Sequence, residues 1–203
     1  MNVYDFDKTI YYSDSTKDFY LYCLRRHPKM IKYWPSLIRA FIKFRTGSYS
    51  KTQFKEILYR FLRCIDADKE VALFWNKKKS GIKKWYLNQK RKDDLIISAS
   101  PVFLLKPICD ILEVDNLIAS NVNPKTGEYS GENCHGEEKV LQMYKIYGRV
   151  VPDNFYSDSY IDTPLAAIAK KSFIVKGEEL SDWNFDNPKI KKYGYNLSDI
   201  KNL

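Results

Sequence analysis

Hydrophobic and polar positions along this chain change their period twice. Met1–Tyr4 is a short apolar run that stops at Asp5-Phe6-Asp7, as a buried strand would. From Ser13 the spacing becomes helical. Ser13–Thr16 offers N-cap side chains, and Phe19, Tyr20, Tyr22, Cys23 and Leu24 follow at helical intervals. Met30–Phe44 is a second, strongly apolar segment that Pro35 would start or kink. After a break at Thr46-Gly47-Ser48, Ser50–Cys64 puts Phe54, Ile57, Leu58, Phe61 and Leu62 on one helical face. Further helices are expected over Ala67–Lys77 and Ile82–Lys90.

From Asp94 short apolar runs alternate with helical stretches. Strands are expected at Leu95–Ser98, Asn116–Ser120, Asn154–Ser157 and, last, Ser172–Val175. Helices are expected at Val102–Leu112, Lys139–Tyr147 and Thr163–Lys170, with Pro101 near the first turn of the first of these. The turn residues of Asn123–Gly131 suggest a hairpin. Lys176–Leu203 is polar and aromatic without clear period. Such alternation implies an α/β fold, a doubly wound parallel sheet of Rossmann-like type. Its core would comprise residues 1–12 and 94–203, interrupted by a helical cap over 13–93.

Composition narrows the class. A hydrophobic content of 44% suffices for a globular core. No apolar stretch approaches the roughly 20 residues that span a bilayer. Asp5 and Asp7 interrupt the N-terminus too early for a signal peptide. Cys23, Cys64, Cys109 and Cys134 lack C-x-x-C spacing and read as reduced thiols of a cytoplasmic protein. With only His27 and His135, a zinc site is not expected.

The net charge of +9 is uneven. Residues 13–94 hold 21 Lys/Arg against 8 Asp/Glu, and the rest of the chain is net acidic. A segment this basic attracts a phosphorylated substrate, an anionic membrane or nucleic acid. No nucleic-acid fold signature accompanies it, so nucleic acid is not expected as a partner. The sequence sets no oligomeric state.

Candidate chemistry begins with Asp5 and Asp7. Two carboxylates at a strand's C-terminal end repel each other unless a cation lies between them, and oxygen ligands suit Mg²⁺. Three later segments carry groups of the same kind: Ser98-Ala99-Ser100-Pro101, Gly136-Glu137-Glu138-Lys139, and Ser157-Asp158-Ser159-Tyr160-Ile161-Asp162. In this order they resemble the four motifs of the haloacid dehalogenase superfamily, nearest its phosphoserine-phosphatase-like branch, over about residues 1–176. That branch inserts a helical cap where the long helical segment lies here.

The resemblance implies a phosphomonoesterase. Asp5 would be the nucleophile, forming an aspartyl-phosphate, and Asp7 the general acid and base. Ser98 and Ala99 would hold phosphoryl oxygens, and Lys139 would offset charge on the aspartate and phosphoryl group. Asp5, Asp158 and Asp7, the last through its main-chain carbonyl, would hold Mg²⁺. Asp162 would support that shell, facing the site with Asp158 from one helical turn. Thr9 would orient the loop. Asp14 falls about where the branch places the acid that reads an amino group. Lys8 departs from the more frequent Gly, and Ser157 replaces another.

Leu24-Arg25-Arg26-His27-Pro28, Leu117-Ile118-Ala119-Ser120 and Cys134-His135-Gly136 also resemble bacterial phosphatidylglycerophosphate phosphatases of the superfamily. The substrate is then a small phosphorylated metabolite or a phospholipid head group. A phosphotransferase or mutase using the same intermediate is the alternative, and a non-catalytic anionic-surface or nucleic-acid binder a further one. Lys32, Arg39 and Lys43 interrupt the apolar cap segment, so it would not span a bilayer. Trp34, Leu37, Ile38 and Phe41 are expected to pack the cap's own core. The alternative is that they lie on the inner face of an anionic membrane.

Overall fold

The computed structural model describes residues 1–195. The short apolar runs become a six-stranded sheet: β1 (Val3–Tyr4), β2 (Leu95–Pro101), β3 (Asn116–Ser120), β4 (Asn154–Ser157), β5 (Lys171–Lys176) and β6 (Glu179–Asp182). The spatial order is β3-β2-β1-β4-β5-β6. The first five strands pair in parallel. The period of two along a strand separates their side chains. Val3, Leu95, Ile97 and Phe155 enter one core with Val140, Met143 and Leu165. Tyr4, Ile96 and Tyr156 enter the other.

β1 is central, and the chain leaves it toward β2 and β3 before returning on the other side to β4. Sheets of this kind bind ligands at such a switch point, beyond the carboxyl ends of the strands. The fold therefore brings together the segments that follow β1, β2 and β4.

Helices α1 (Ser15–Arg26), α2 (Trp34–Arg45), α3 (Lys51–Tyr59), α4 (Ala67–Lys78) and α5 (Lys84–Leu87) all lie between β1 and β2. Their starts are specified locally. The Asp14 side chain accepts from the Lys17 N–H at 2.8 Å, and Ser50 and Gln53 form a reciprocal capping box ahead of α3. Phe19 of α1 and Phe74 and Trp75 of α4 share one cluster with Tyr4 and Phe6. Trp75 also donates its indole N–H to the Leu104 carbonyl at 2.7 Å. This fastens α4 to α6 (Val102–Ile111), which follows β2. α7 (Glu137–Tyr147) and α8 (Thr163–Ile168) cover the opposite face, and α9 (Pro188–Lys192) follows the sheet.

The turn over 123–131 closes a minimal hairpin, an antiparallel bridge between Val122 and Tyr129 flanked by Asn123 N–H to the Glu128 carbonyl at 2.9 Å and Ser130 N–H to the Asn121 carbonyl at 2.8 Å. Gly127, at φ +81°, sits where a Cβ would lie 2.4 Å from the Tyr59 carbonyl oxygen, so the turn is shaped by close approach to the insert. Three other expectations need correction. The strand over 171–176 is not the last. β6 pairs antiparallel along its edge, and its short, polar, exposed sequence hid it. The helix expected over 82–90 shrinks to Lys84–Leu87. Finally, Trp34, Ile38 and Phe41 are exposed, Leu37 is half-buried, and the only buried residue of α2 is Ala40. Among the described residues no helix is long and apolar enough to cross a membrane.

Candidate active site

Asp5 follows β1 directly, and its N–H continues the ladder to the Tyr156 carbonyl at 2.9 Å. Its carboxylate is buried. One oxygen accepts from Lys139 Nζ at 2.7 Å and the other from the Thr9 hydroxyl at 3.1 Å. The Thr9 oxygen in turn accepts from the Asp158 N–H at 2.9 Å. A single hydroxyl thus joins the loop after β1 to the loop after β4.

Lys139 projects from the first turn of α7 and is buried. Gly136 starts that helix at φ +64°, where a Cβ would lie 2.7 Å from the Tyr195 hydroxyl. The ammonium also donates to Asp162 at 2.8 Å, and the same Asp162 oxygen accepts from the Ser157 hydroxyl at 2.8 Å. Asp158 and Asp162 do not share a helical turn, as expected above. Ser159 is extended, and only Tyr160–Asp162 forms a 3₁₀ turn.

The electrostatics follow from this crowding. Burial raises the Asp5 carboxyl to about 7; Lys139 opposes the rise, while Asp162 and Asp158 add to it. Burial and Asp162 raise Asp158 to about 6, with Lys8 and Lys139 opposing. Burial would drive the Lys139 ammonium down, but Asp162 and Asp5 outweigh it and hold it above its ordinary range.

Asp7 lies toward the insert. Its oxygens accept from the Ser15 N–H at 2.6 Å and the Ser100 hydroxyl at 2.5 Å. Burial and then Asp14 raise its carboxyl, and the bonds from Ser100 and Ser15 pull it back. Ser98 is buried in β2, where its oxygen accepts from the Ser100 N–H at 3.1 Å. Ala99 and Ser100, rather than Ser98, line the adjoining cavity.

Lys8 adopts φ +60°, a conformation that costs a side-chain-bearing residue about 1–2 kcal/mol and glycine little. Its N–H donates to the Ser13 carbonyl at 3.0 Å, and its own carbonyl accepts from Lys83 Nζ.

A cavity of about 340 Å³ opens beside Asp7. Asp14 lines it, along with Tyr20, Phe44, Phe54 and Leu58. So do Lys51 and Lys55, one turn apart on α3. Lys55 Nζ donates to the Ala99 carbonyl at 2.7 Å and to Asn133 at 3.0 Å. Burial, aided by Lys51, pushes its ammonium down to about 8. Lys51 Nζ meets His135 Nε2, whose ring burial pushes down to about 4, so the neutral ring accepts. Sequence reasoning missed Ser100, Lys51, Lys55 and Lys83. The Ser-x-Ser alternation of β2 was a usable signal for Ser100, because it puts both hydroxyls on one face.

Among the described residues no three His, Cys, Asp or Glu side chains cluster to hold a metal ion. With its carboxylate turned to Ser15 and Ser100, Asp7 has its main-chain carbonyl left to offer. Asp5, Asp7, Asp158 and Asp162 nevertheless bring four carboxylates near Lys139 and Lys8, and Asp5 and Asp158, raised first by burial, are raised further by their acidic neighbours. Two carboxylates and a carbonyl are hard oxygen donors, so the residues present fit Mg²⁺.

The model of the haloacid dehalogenase-like hydrolases matches residues 3–167. The chain belongs to this family. The resemblance drawn from the four motifs therefore holds, and solved structures agree in fold. A protein with unknown function from Bordetella pertussis Tohama I is 19% identical at a TM-score of 0.66, with 85% of this chain and 87% of that one covered. A phosphoserine phosphohydrolase-like protein from Francisella tularensis subsp. tularensis SCHU S4 is 20% identical at 0.52, covering 85% and 86%. A probable phosphoserine phosphatase from Vibrio cholerae is 14% identical at 0.59, covering 84% and 55%. At these identities the likeness is one of fold. No curated protein matches the chain.

Proposed function

We propose that this hydrolase is a Mg²⁺-dependent phosphomonoesterase that works through an aspartyl-phosphate on Asp5. The observation that carries the reading is Lys139 held between Asp5 and Asp162, at 2.7 and 2.8 Å, where three sheet loops meet. A carboxylate nucleophile needs a buried cation beside it to remain ionised and to balance charge as phosphorus is attacked. Bound to the Asp5 and Asp158 carboxylates and the Asp7 carbonyl, Mg²⁺ would supply further positive charge to the phosphoryl oxygens.

Asp7 serves both half-reactions. Its carboxyl, raised by burial, protonates the departing alcohol; ionised, it then takes a proton from the water that cleaves the aspartyl-phosphate. Ser98 and Ala99 are the candidate phosphate contacts, with Ser100 orienting Asp7. The cavity beyond Asp7 pairs two lysines with Tyr20, Phe44, Phe54 and Leu58. This supports an alcohol portion with a second acidic group and some apolar surface, in a small metabolite or a phospholipid head group. Asp14 borders the same cavity, although one oxygen caps α1. Transfer of the phosphoryl group to an alcohol instead of water remains the second use of the same intermediate.

The test is phosphate release from a panel of phosphomonoesters and phospholipids with Mg²⁺, beside an Asp5→Asn control. Release that needs Mg²⁺ and disappears in the control is expected. Wild-type release by Asp5→Asn sinks the mechanism, and product analysis with an added alcohol separates hydrolysis from transfer.

A further inference from the structure

α2 turns its apolar side outward. Ile31 in the preceding 3₁₀ turn and Trp34, Ile38, Phe41 and Ile42 on the helix are each between 42% and 57% exposed. The helical four recur at i, i+4, i+7 and i+8, a single stripe one face wide. The inner side supplies Phe44, which stacks on Phe54 of α3 at 5.4 Å and lines the catalytic cavity. Phe41, at the near edge of the stripe, also tilts against Phe54 at 6.0 Å, so the surface left outward is carried by Ile31, Trp34, Ile38 and Ile42.

Charge says what would cover that stripe. Between Pro28 and Arg45 there are five basic residues, Lys29, Lys32, Arg39, Lys43 and Arg45, and no acid. At 100° per residue, Arg39 and Lys43 fall on the flank of α2 beyond Ile42, and Lys32 lies in the 3₁₀ turn that precedes the helix. A second copy docked face to face would set these cations against their own equivalents, which is repulsive. A surface that is apolar within and negatively charged at its boundary satisfies both parts. Interfacial helices have this composition, with aromatic and aliphatic residues facing the acyl boundary and Lys/Arg beside it. Trp34 suits the boundary itself: its N–H is already bonded to the Tyr20 hydroxyl at 3.0 Å, and its ring stays exposed.

We infer that the outer face of α2 docks the protein on an anionic lipid bilayer. The docking helix is also one wall of the catalytic cavity, so attachment holds the site about one helix diameter, roughly 10 Å, from the lipid head groups. The surface serves any substrate drawn from the bilayer, and it does not depend on the phosphatase reading.

Flotation with vesicles decides it without an activity assay. The full chain should float with vesicles of phosphatidylcholine and phosphatidylglycerol in equal parts, and the bound fraction should fall as salt rises. Vesicles of phosphatidylcholine alone should retain little. Ile38→Glu with Ile42→Glu should weaken binding by about tenfold or more, as should Arg39→Glu with Lys43→Glu. Ile38 and Ile42 lie outside the core, and unchanged thermal melting of the variants checks their folding. A blue shift of emission on adding the mixed vesicles, absent in Trp34→Tyr, reports insertion independently. The inference is overturned by absence of binding at low salt, by binding that the two isoleucine substitutions leave intact, or by a dimer in sedimentation velocity that Ile38→Glu dissociates.

Discussion

Lys139 and Asp5 form a buried ion pair of 2.7 Å that ties the first turn of α7 to the end of β1. Asp162 shares the same ammonium at 2.8 Å. Two carboxylates are thus kept from water by one cation.

Removing that cation should cost stability as well as activity. Lys139→Met leaves two buried acids uncompensated, a loss of about 3–5 kcal/mol by denaturant melting. Adding Asp162→Asn should recover part of the stability without restoring turnover, because Asp5 still lacks its counter-charge. A double variant no more stable than Lys139→Met contradicts this account.

Asp158 gives the fold a pH dependence in the absence of metal. Its carboxyl is raised to about 6, so the folded state binds protons more tightly than the unfolded chain. Stability from this group is then greatest below the ordinary carboxylate range and falls as pH rises from about 4 to about 6. Thermal melts in EDTA should show this fall, and Asp158→Asn should make it shallower, leaving the part that Asp5, raised to about 7, contributes. Mg²⁺ should raise the melting temperature more at pH 7.5 than at pH 5, where it competes with protons. Equal shifts at both pH values would count against these carboxylates as ligands.

Ser100 sets the proton affinity of Asp7. The 2.5 Å hydrogen bond stabilises the ionised carboxylate, so Ser100→Ala should raise the Asp7 pKa. With Asp7 as the proposed acid, phosphoryl transfer requires it protonated and fails as pH rises. The alkaline limb of kcat/KM should therefore move to higher pH while the maximum rate falls by about 10-fold or more. A profile that keeps its limb would assign the acid role elsewhere.

Lys8→Gly should relieve the positive φ. The gain is about 1 kcal/mol at most, since glycine also has more freedom to lose on folding. Lys8→Met keeps the strain and removes the charge, so it should raise the Asp158 pKa with no gain in stability. Chemical denaturation of the two variants tests the separation.

The sequence was most readable where local rules decide. β3 and β4 stand where the apolar runs placed them, and Lys139 lies within hydrogen-bond reach of both Asp5 and Asp162. Legibility failed where distance along the chain matters. Nothing near Lys55 announces Asn133, nor does anything near Ser15 announce Ser100. The outward turn of α2 failed for another reason. A helical stripe reveals that one side is apolar, but the side that meets the protein is chosen by Phe44, Ala40 and their partners.

The Asp7–Ser100 bond has a mechanical consequence. Asp7 stands just before the insert begins and Ser100 just after it ends, 93 positions later, yet the two touch. Ser15, the first residue of α1, grips the other oxygen of the same carboxylate. Both roots of the insert are therefore anchored on the residue proposed to give and take the proton. A change in the seat of either root would shift the Asp7 carboxylate, which borders the cavity.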